Sequence, residues 1–136
     1  MKFNIRKLEA SDWGTLVKWW DSWPEWVAPP KTFLPDNGTG GLIVEKGEQP
    51  IVAGFLYFTN SQAVLLEWII SNPEYRGKDR QEAIELLINT AEAICKKQDQ
   101  LHMFSIGRNK HLIDTHEKLG WNIDRKNSYE ITKKLK

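Results

Sequence analysis

The sequence predicts an α+β domain built on one mixed β-sheet. Three observations carry this. Residues 42–71 hold three apolar runs separated only by Gly47-Glu48-Gln49 and Asn60-Ser61, turns so short that the runs must be antiparallel neighbours. The third run ends at Asn72-Pro73 and leads into a stretch from about residue 80 to 98 with Ile84, Leu87, Ile88, Ala91, Ile94 and Cys95 at helical spacing. A further apolar run at 101–106 follows, and a strand–helix–strand connection makes its two strands parallel. With 136 residues the chain is long enough for one domain with a substantial core.

The elements follow in order. Residues 3–8 alternate Phe3 and Ile5 against Asn4 and Arg6, which reads as a first strand. Ser11 is the expected N-cap of a first helix whose buried stripe is Trp13, Leu16, Val17 and Trp20, with Trp19 off the stripe. Pro24, Pro29, Pro30 and Pro35 exclude a long helix beyond it, so residues 23–41 should hold one short helical turn at most and otherwise irregular loop. A loop of that length in a compact domain is often functional. Strands are expected at 42–46, 51–59 and 63–71, a helix at about 80–98, a strand at 101–106 and a helix at 109–119, with Gly120 at its C′ position. Residues 121–124 and 129–135 should form a closing hairpin around Lys126-Asn127-Ser128. The order is β-α-βββ-α-β-α-ββ, with helices on both faces of the sheet.

Composition excludes several classes. Charged residues are 27% of the chain and the formal net charge is +1, which gives no basis for a general nucleic-acid or membrane-surface binder. Cys95 is the only cysteine, so no internal disulfide forms, which fits a reducing, cytoplasmic setting. Residues 1–12 have no apolar core of the kind a signal peptide needs, and no run is long enough to span a membrane. His102, His111 and His116 show no metal-ligand spacing, so no metal is expected. Cys95 lies on the apolar stripe of the second helix and reads as a buried structural thiol. Of seven tryptophans, five fall between Trp13 and Trp26. Trp13 and Trp20 read as core. Trp19, Trp23 and Trp26 are open between pinning the loop and forming a flat apolar wall for a ligand.

Chemistry concentrates between Glu67 and Gln81. A strand, the short basic loop around Arg76-Gly77-Lys78-Asp79-Arg80-Gln81 and a helix N-terminus form a place for an anionic phosphate. A second reading makes Asp79 an N-cap, with Glu82 as capping-box partner. The two readings compete for the same amide donors, and the charges of Glu74, Asp79 and Glu82 offset those of Arg76, Lys78 and Arg80. Glu67 is a carboxylate inside an apolar strand, and alternation puts Glu67, Ile69 and Ser71 on one face.

The element order and two local patterns resemble the GNAT superfamily of acetyl-CoA-dependent N-acetyltransferases. One pattern is Ser71-Asn72-Pro73-Glu74-Tyr75-Arg76-Gly77-Lys78-Asp79-Arg80-Gln81, where the family often has Val-x-Pro-x-Tyr-Arg-Gly-x-Gly-x-Gly. The other is Asn109 followed by His116-Glu117-Lys118-Leu119-Gly120-Trp121, where the family has Asn, then Tyr seven residues on, then Gly-Phe. Asp79 and Gln81 replace the two later glycines, and His116 replaces the tyrosine. The resemblance covers the chain from 1 to 136 as a single acyltransferase domain and implies acyl transfer from acetyl-CoA, or another acyl-CoA, to an amine of a small molecule or peptide.

It further implies roles for residues. Backbone groups of Ile69, Ile70 and Ser71 would hold the pantetheine arm where two parallel strands diverge. Arg76, Gly77, Lys78, Asp79, Arg80 and Gln81 would form the pyrophosphate loop, and Asn109 would lie near the thiol end. Glu67 would be the general base and His116 the acid that protonates the leaving thiolate. Trp19, Trp23 and Trp26 would line the acceptor pocket, at least one of them opening toward Glu67. A rival reading, favoured by the replaced glycines and tyrosine, is a catalytically inactive GNAT-fold binding or interaction protein. The acceptor's identity and the oligomeric state, a homodimer included, are open.

Overall fold

The structure is a computed structural model that describes residues 2–136. The chain divides into two compact units between Ile106 and Gly107. The first unit carries a five-stranded sheet in the order β1 (Asn4–Lys7), β2 (Gly41–Lys46), β3 (Gln49–Phe58), β4 (Ala63–Ser71) and β5 (His102–Phe104). β1 to β4 are antiparallel neighbours, and β5 lies parallel to β4. The sheet is mixed, as the short turns and the helical crossover predict. Helices α1 (Trp13–Ser22) and α2 (Arg80–Lys97) belong to the same unit.

The two helices cover opposite faces. Ala53 and Phe55 of β3 join Leu16, Trp19 and Trp20 of α1 in the main core cluster, with Leu8, Leu34, Ile43 and Ile70. Gly54, between them, turns the other way: a Cβ there would lie 3.2 Å from Leu87 of α2 and 3.2 Å from Ile69. Both faces of β3 are therefore covered, which explains an unbroken buried run where a one-sided strand would alternate.

α1 departs from expectation in two ways. Ser11 is not its N-cap. A 3-10 turn, Ala10–Asp12, precedes the helix, and Asp12 is the N-cap. The Asp12 carboxylate accepts from the Glu9 N–H at 2.8 Å and from both ends of the Arg6 guanidinium at 2.9 Å. Arg6, which also bonds Glu45 at 3.0 Å, holds the Asp12 carboxyl below its usual range. Second, the buried residues are Leu16, Trp19 and Trp20, while Trp13 and Val17 are only half-buried. Residues 16, 19, 20 and 23 have the same i, i+3, i+4, i+7 spacing as 13, 16, 17 and 20, so periodicity cannot choose between the two phases. Packing chooses: Trp20 stacks on Phe55 with centroids 6.3 Å apart. After α1 the loop holds two 3-10 turns, Lys31–Phe33 and Pro35–Gly38, one more than expected.

The second unit holds α3 (Lys110–Lys118), ended by Gly120 at φ 96°. The expected closing hairpin is not formed: residues 121–136 carry no strand. Tyr129, Ile131 and Leu135 are 82%, 93% and 87% exposed, so the alternation that suggested a strand buries nothing. A hairpin without a buried face is marginal in water.

Among the described residues, no helix is long and apolar enough to cross a membrane. No group of three or more His, Cys, Asp or Glu among them is placed to hold a metal ion.

Candidate active site

β4 and β5 pair over only three positions, Ala63 with His102, Val64 with Met103 and Leu65 with Phe104. Continued in register, the ladder would set Glu67 opposite Ile106. Instead the Glu67 carboxylate accepts the Ile106 N–H at 2.7 Å. From Leu66 to Ser71 no strand pairs with this edge of β4 among the described residues. The two strands thus part at the carboxylate. At the far end of the open edge the Asn72 N–H bonds Ile51 of β3 at 2.8 Å. Its neighbour Ser71 therefore turns its carbonyl outward, where the Trp23 indole N–H donates to it at 2.9 Å.

A β-bulge interrupts β4 beside Glu67. Phe55 pairs with Glu67 and Ala53 with Ile70, so Trp68 and Ile69 together oppose Gly54. Trp68 has φ 57°, a left-handed conformation that a bulky residue adopts only under constraint. Strict alternation of Glu67, Ile69 and Ser71 fails here. Glu67 and Ile70 share the α1 side with their partners Phe55 and Ala53, whereas Ile69 faces Gly54 on the α2 side. Trp68 also lies on the α1 side, edge-on to Trp20 at 6.1 Å and to Phe33 at 5.9 Å. Tyr57, which sequence reasoning did not single out, donates its hydroxyl proton to the Phe33 carbonyl at 3.0 Å. Burial, with the nearby Glu67 charge adding to it and the Trp68 indole opposing, pushes the Tyr57 hydroxyl up to about 12.

The loop after β4 is built from Asn72. Its side chain donates to the Pro50 carbonyl at 3.0 Å and accepts from the Glu74 N–H at 2.9 Å. Asp79 is the N-cap of α2, yet its side chain makes no bond to the helix amides, contrary to the capping-box reading. The carboxylate instead accepts from the Tyr75 hydroxyl, from Lys46 at 2.9 Å and lies 3.4 Å from Lys2. The Tyr75 hydroxyl first, then Lys46, hold the Asp79 carboxyl well below the usual carboxylate range. Gly77 passes directly over this contact. A Cβ at Gly77 would lie 2.5 Å from the Tyr75 oxygen and 2.6 Å from Asp79 Oδ1.

The other loop residues divide. The Arg80 guanidinium folds back to donate to the carbonyls of Asn72, at 3.2 Å, and Tyr75, so it braces the loop. The Gln81 side chain donates along the helix to Glu85 at 3.1 Å. Arg76, Gly77 and Lys78 are exposed, which leaves Arg76 and Lys78 as the loop's outward-facing cations.

The tryptophans divide too. Trp19 is buried in the core cluster, because the helix phase carries it inward. Trp23 and Trp26 are half-buried and pack on the rim of the same cluster. A depression is lined by Lys2, Phe3, Glu82, Glu85, Leu86 and Asn89, none of them a site residue expected from the sequence.

In the second unit, Asn109 is the N-cap of α3. Its Oδ1 accepts from the Leu112 N–H at 3.1 Å. His116 is buried rather than on the helix surface, edge-on to Trp121 with centroids 4.7 Å apart. Its Nδ1 lies 2.9 Å from the Leu112 carbonyl, an acceptor, so Nδ1 carries the proton.

Solved structures share this fold. The ribosomal-protein-S18-alanine N-acetyltransferase from Escherichia coli superposes with a TM-score of 0.73 over 96% of this chain and 85% of its own, at 17% identity. AAC(6')-Iy, in complex with the bisubstrate analogue CoA-S-monomethyl-acetylneamine, matches with a TM-score of 0.66 over 98% and 99%, at 18% identity. The fold is that of the GNAT acetyltransferases. A third protein of GNAT fold, a putative acetyltransferase from Salmonella typhimurium with its cofactor acetyl-CoA, matches with a TM-score of 0.65 over 91% and 82%, at 14% identity. No family model matches the sequence, and no curated protein does.

Proposed function

We propose that this chain is a single-domain N-acyltransferase that moves an acetyl group, or another acyl group, from acyl-CoA to an amine of a small molecule or peptide in the cytoplasm. One observation carries the reading: on a GNAT fold, the Glu67 carboxylate stands where β4 and β5 part, held by the Ile106 N–H at 2.7 Å. An amine attacks a thioester only after losing its proton, and a fixed carboxylate at that point takes it, directly or through a water. The open edge of β4 from Leu66 to Ser71 offers strand-like hydrogen bonds to the amides of pantetheine. The exposed Arg76 and Lys78, with the α2 amides that Asp79 leaves uncapped, suit a pyrophosphate. The coenzyme supplies the activated acyl group as a thioester. The family resemblance assigns His116 to protonation of the departing thiolate. Its Nδ1–H bond to Leu112 fixes the ring so that Nε2 exchanges the proton.

The rival reading, a non-catalytic module, draws on the replacement of two loop glycines by Asp79 and Gln81. Calorimetric titration with acetyl-CoA and desulfo-CoA separates the two. Micromolar binding of both, with a rise in Tm that follows ln(1 + [L]/Kd), supports the enzyme. Absence of binding at millimolar ligand supports the module.

A further inference from the structure

The bulge in β4 places two neighbouring side chains, Glu67 and Trp68, on one side of the sheet, where an ordinary strand would send them to opposite faces. The turn Lys31–Phe33 reaches the same place. The Phe33 ring meets Trp68 edge-on, with centroids 5.9 Å apart and planes at 87°. Its carbonyl accepts the Tyr57 hydroxyl proton at 3.0 Å. Tyr57 pairs with Leu65 and Phe55 pairs with Glu67, so Tyr57 and Glu67 are diagonal neighbours on that face. The charge of Glu67 is felt at the Tyr57 hydroxyl.

Phe33 is thus held at its backbone by Tyr57 and at its ring by Trp68, yet it remains 49% exposed. A loose loop phenylalanine would show neither restraint. A fixed aromatic surface beside a carboxylate matches a ligand with two adjoining parts, a cation and an apolar group.

We infer that Phe33 and Trp68, positioned by Tyr57, form a specificity wall beside Glu67 that selects amines carrying an aromatic or branched apolar group close to the nitrogen. This rests on the reading of Glu67 as the base. Glu67 attracts the ammonium ion and then removes its proton, while the wall takes the apolar group out of water. Tyr57 acts through Phe33 and is a positioning residue.

The test compares 2-phenylethylamine with ethanolamine at saturating acetyl-CoA, in the wild type and in Phe33→Ala, Tyr57→Phe and Glu67→Gln. The wild type should prefer 2-phenylethylamine by about tenfold or more in kcat/KM, the scale on which apolar pockets discriminate. Phe33→Ala should cut that preference severalfold by weakening capture of the aromatic amine, read as a rise in its KM. Tyr57→Phe should shift the preference the same way by less. Both should bind desulfo-CoA as the wild type does, which shows the fold intact. A preference that Phe33→Ala leaves unchanged, or a loss shared equally by ethanolamine, overturns the wall and leaves the role of Glu67 standing. No turnover of 2-phenylethylamine by the wild type also overturns the wall. Wild-type turnover by Glu67→Gln overturns the role of Glu67, and the inference falls with it.

Discussion

The Glu67 carboxylate and the Ile106 backbone N–H, 2.7 Å apart, occupy the place where the next rung between β4 and β5 would form. A side chain substitutes for a backbone acceptor, and the strands separate there. The carboxylate that holds Ile106 is the one the proposed reaction needs, so structural and chemical roles must be separated by substitution. Glu67→Gln keeps an acceptor for the N–H and should leave Tm nearly unchanged. Glu67→Ala removes it and should cost about 1 kcal/mol of stability, the usual value of one hydrogen bond. Thermal denaturation of the two variants measures the difference. Equal Tm values would show that the bond carries no stability.

Asp79 gives a second prediction, in which the structure revises the sequence-based competition between cap and phosphate. Its carboxylate is drawn off the α2 amides by Tyr75, Lys46 and Lys2, so removing it frees no donors. Asp79→Asn should therefore lower stability without tightening coenzyme A binding. The sign with pH follows from the depressed folded-state pKa. The wild type's advantage over Asp79→Asn should be full above about pH 4, where the unfolded carboxyl is ionised. It should decline below that and vanish once the folded carboxyl is protonated too. Denaturation of both proteins from acid to neutral pH checks this. An advantage that grows as pH falls would contradict it.

Gly77 supplies the third. Its missing Cβ leaves room for the Tyr75–Asp79 contact, which a methyl group 2.5 Å from the Tyr75 oxygen would displace. Gly77→Ala should lower Tm and weaken coenzyme A binding together. If Gly77→Ala binds as tightly as the wild type, the loop's shape at Tyr75 does not matter to the ligand.

The tryptophans supply the fourth. Trp19→Ala, in a fully packed core, should cost about 3–5 kcal/mol and leave acceptor preference unchanged in whatever fraction folds. Trp23→Phe removes the indole N–H bonded to Ser71 together with the pyrrole ring that carries it, and should lower Tm while loosening the end of the β4 edge. Hydrogen exchange at residues 69–72 reads that loosening. Unchanged protection there would show that the indole does not hold the edge.

The sheet order was legible because short turns and a helical crossover leave little choice of neighbours. The phase of α1 was not, since two stripes with equal spacing share Leu16 and Trp20 and only contact with Phe55 separates them. The bulge at Trp68 was hidden for a different reason: it arises from a one-residue mismatch between β3 and β4, which neither strand's own pattern contains. Glu67 stood out as a charge in an apolar run. Its aromatic neighbours did not, because Tyr57 and Phe33 arrive from other elements. Asp79 read as a cap from local sequence, and the lysines that claim it lie far away in the chain. The hairpin at 121–124 and 129–135 failed because alternation marks a strand only when something buries one face.

The most direct test of acyl transfer through Glu67 is amine-dependent release of coenzyme A thiol from acetyl-CoA by the wild type and Glu67→Gln. The wild type should release thiol only when an amine is present. Glu67→Gln should bind desulfo-CoA normally but turn over about 100-fold or more slowly, the usual contribution of a positioned general base. Equal rates in the two proteins, or no amine-dependent release by a wild type that binds the coenzyme, would contradict acyl transfer through Glu67.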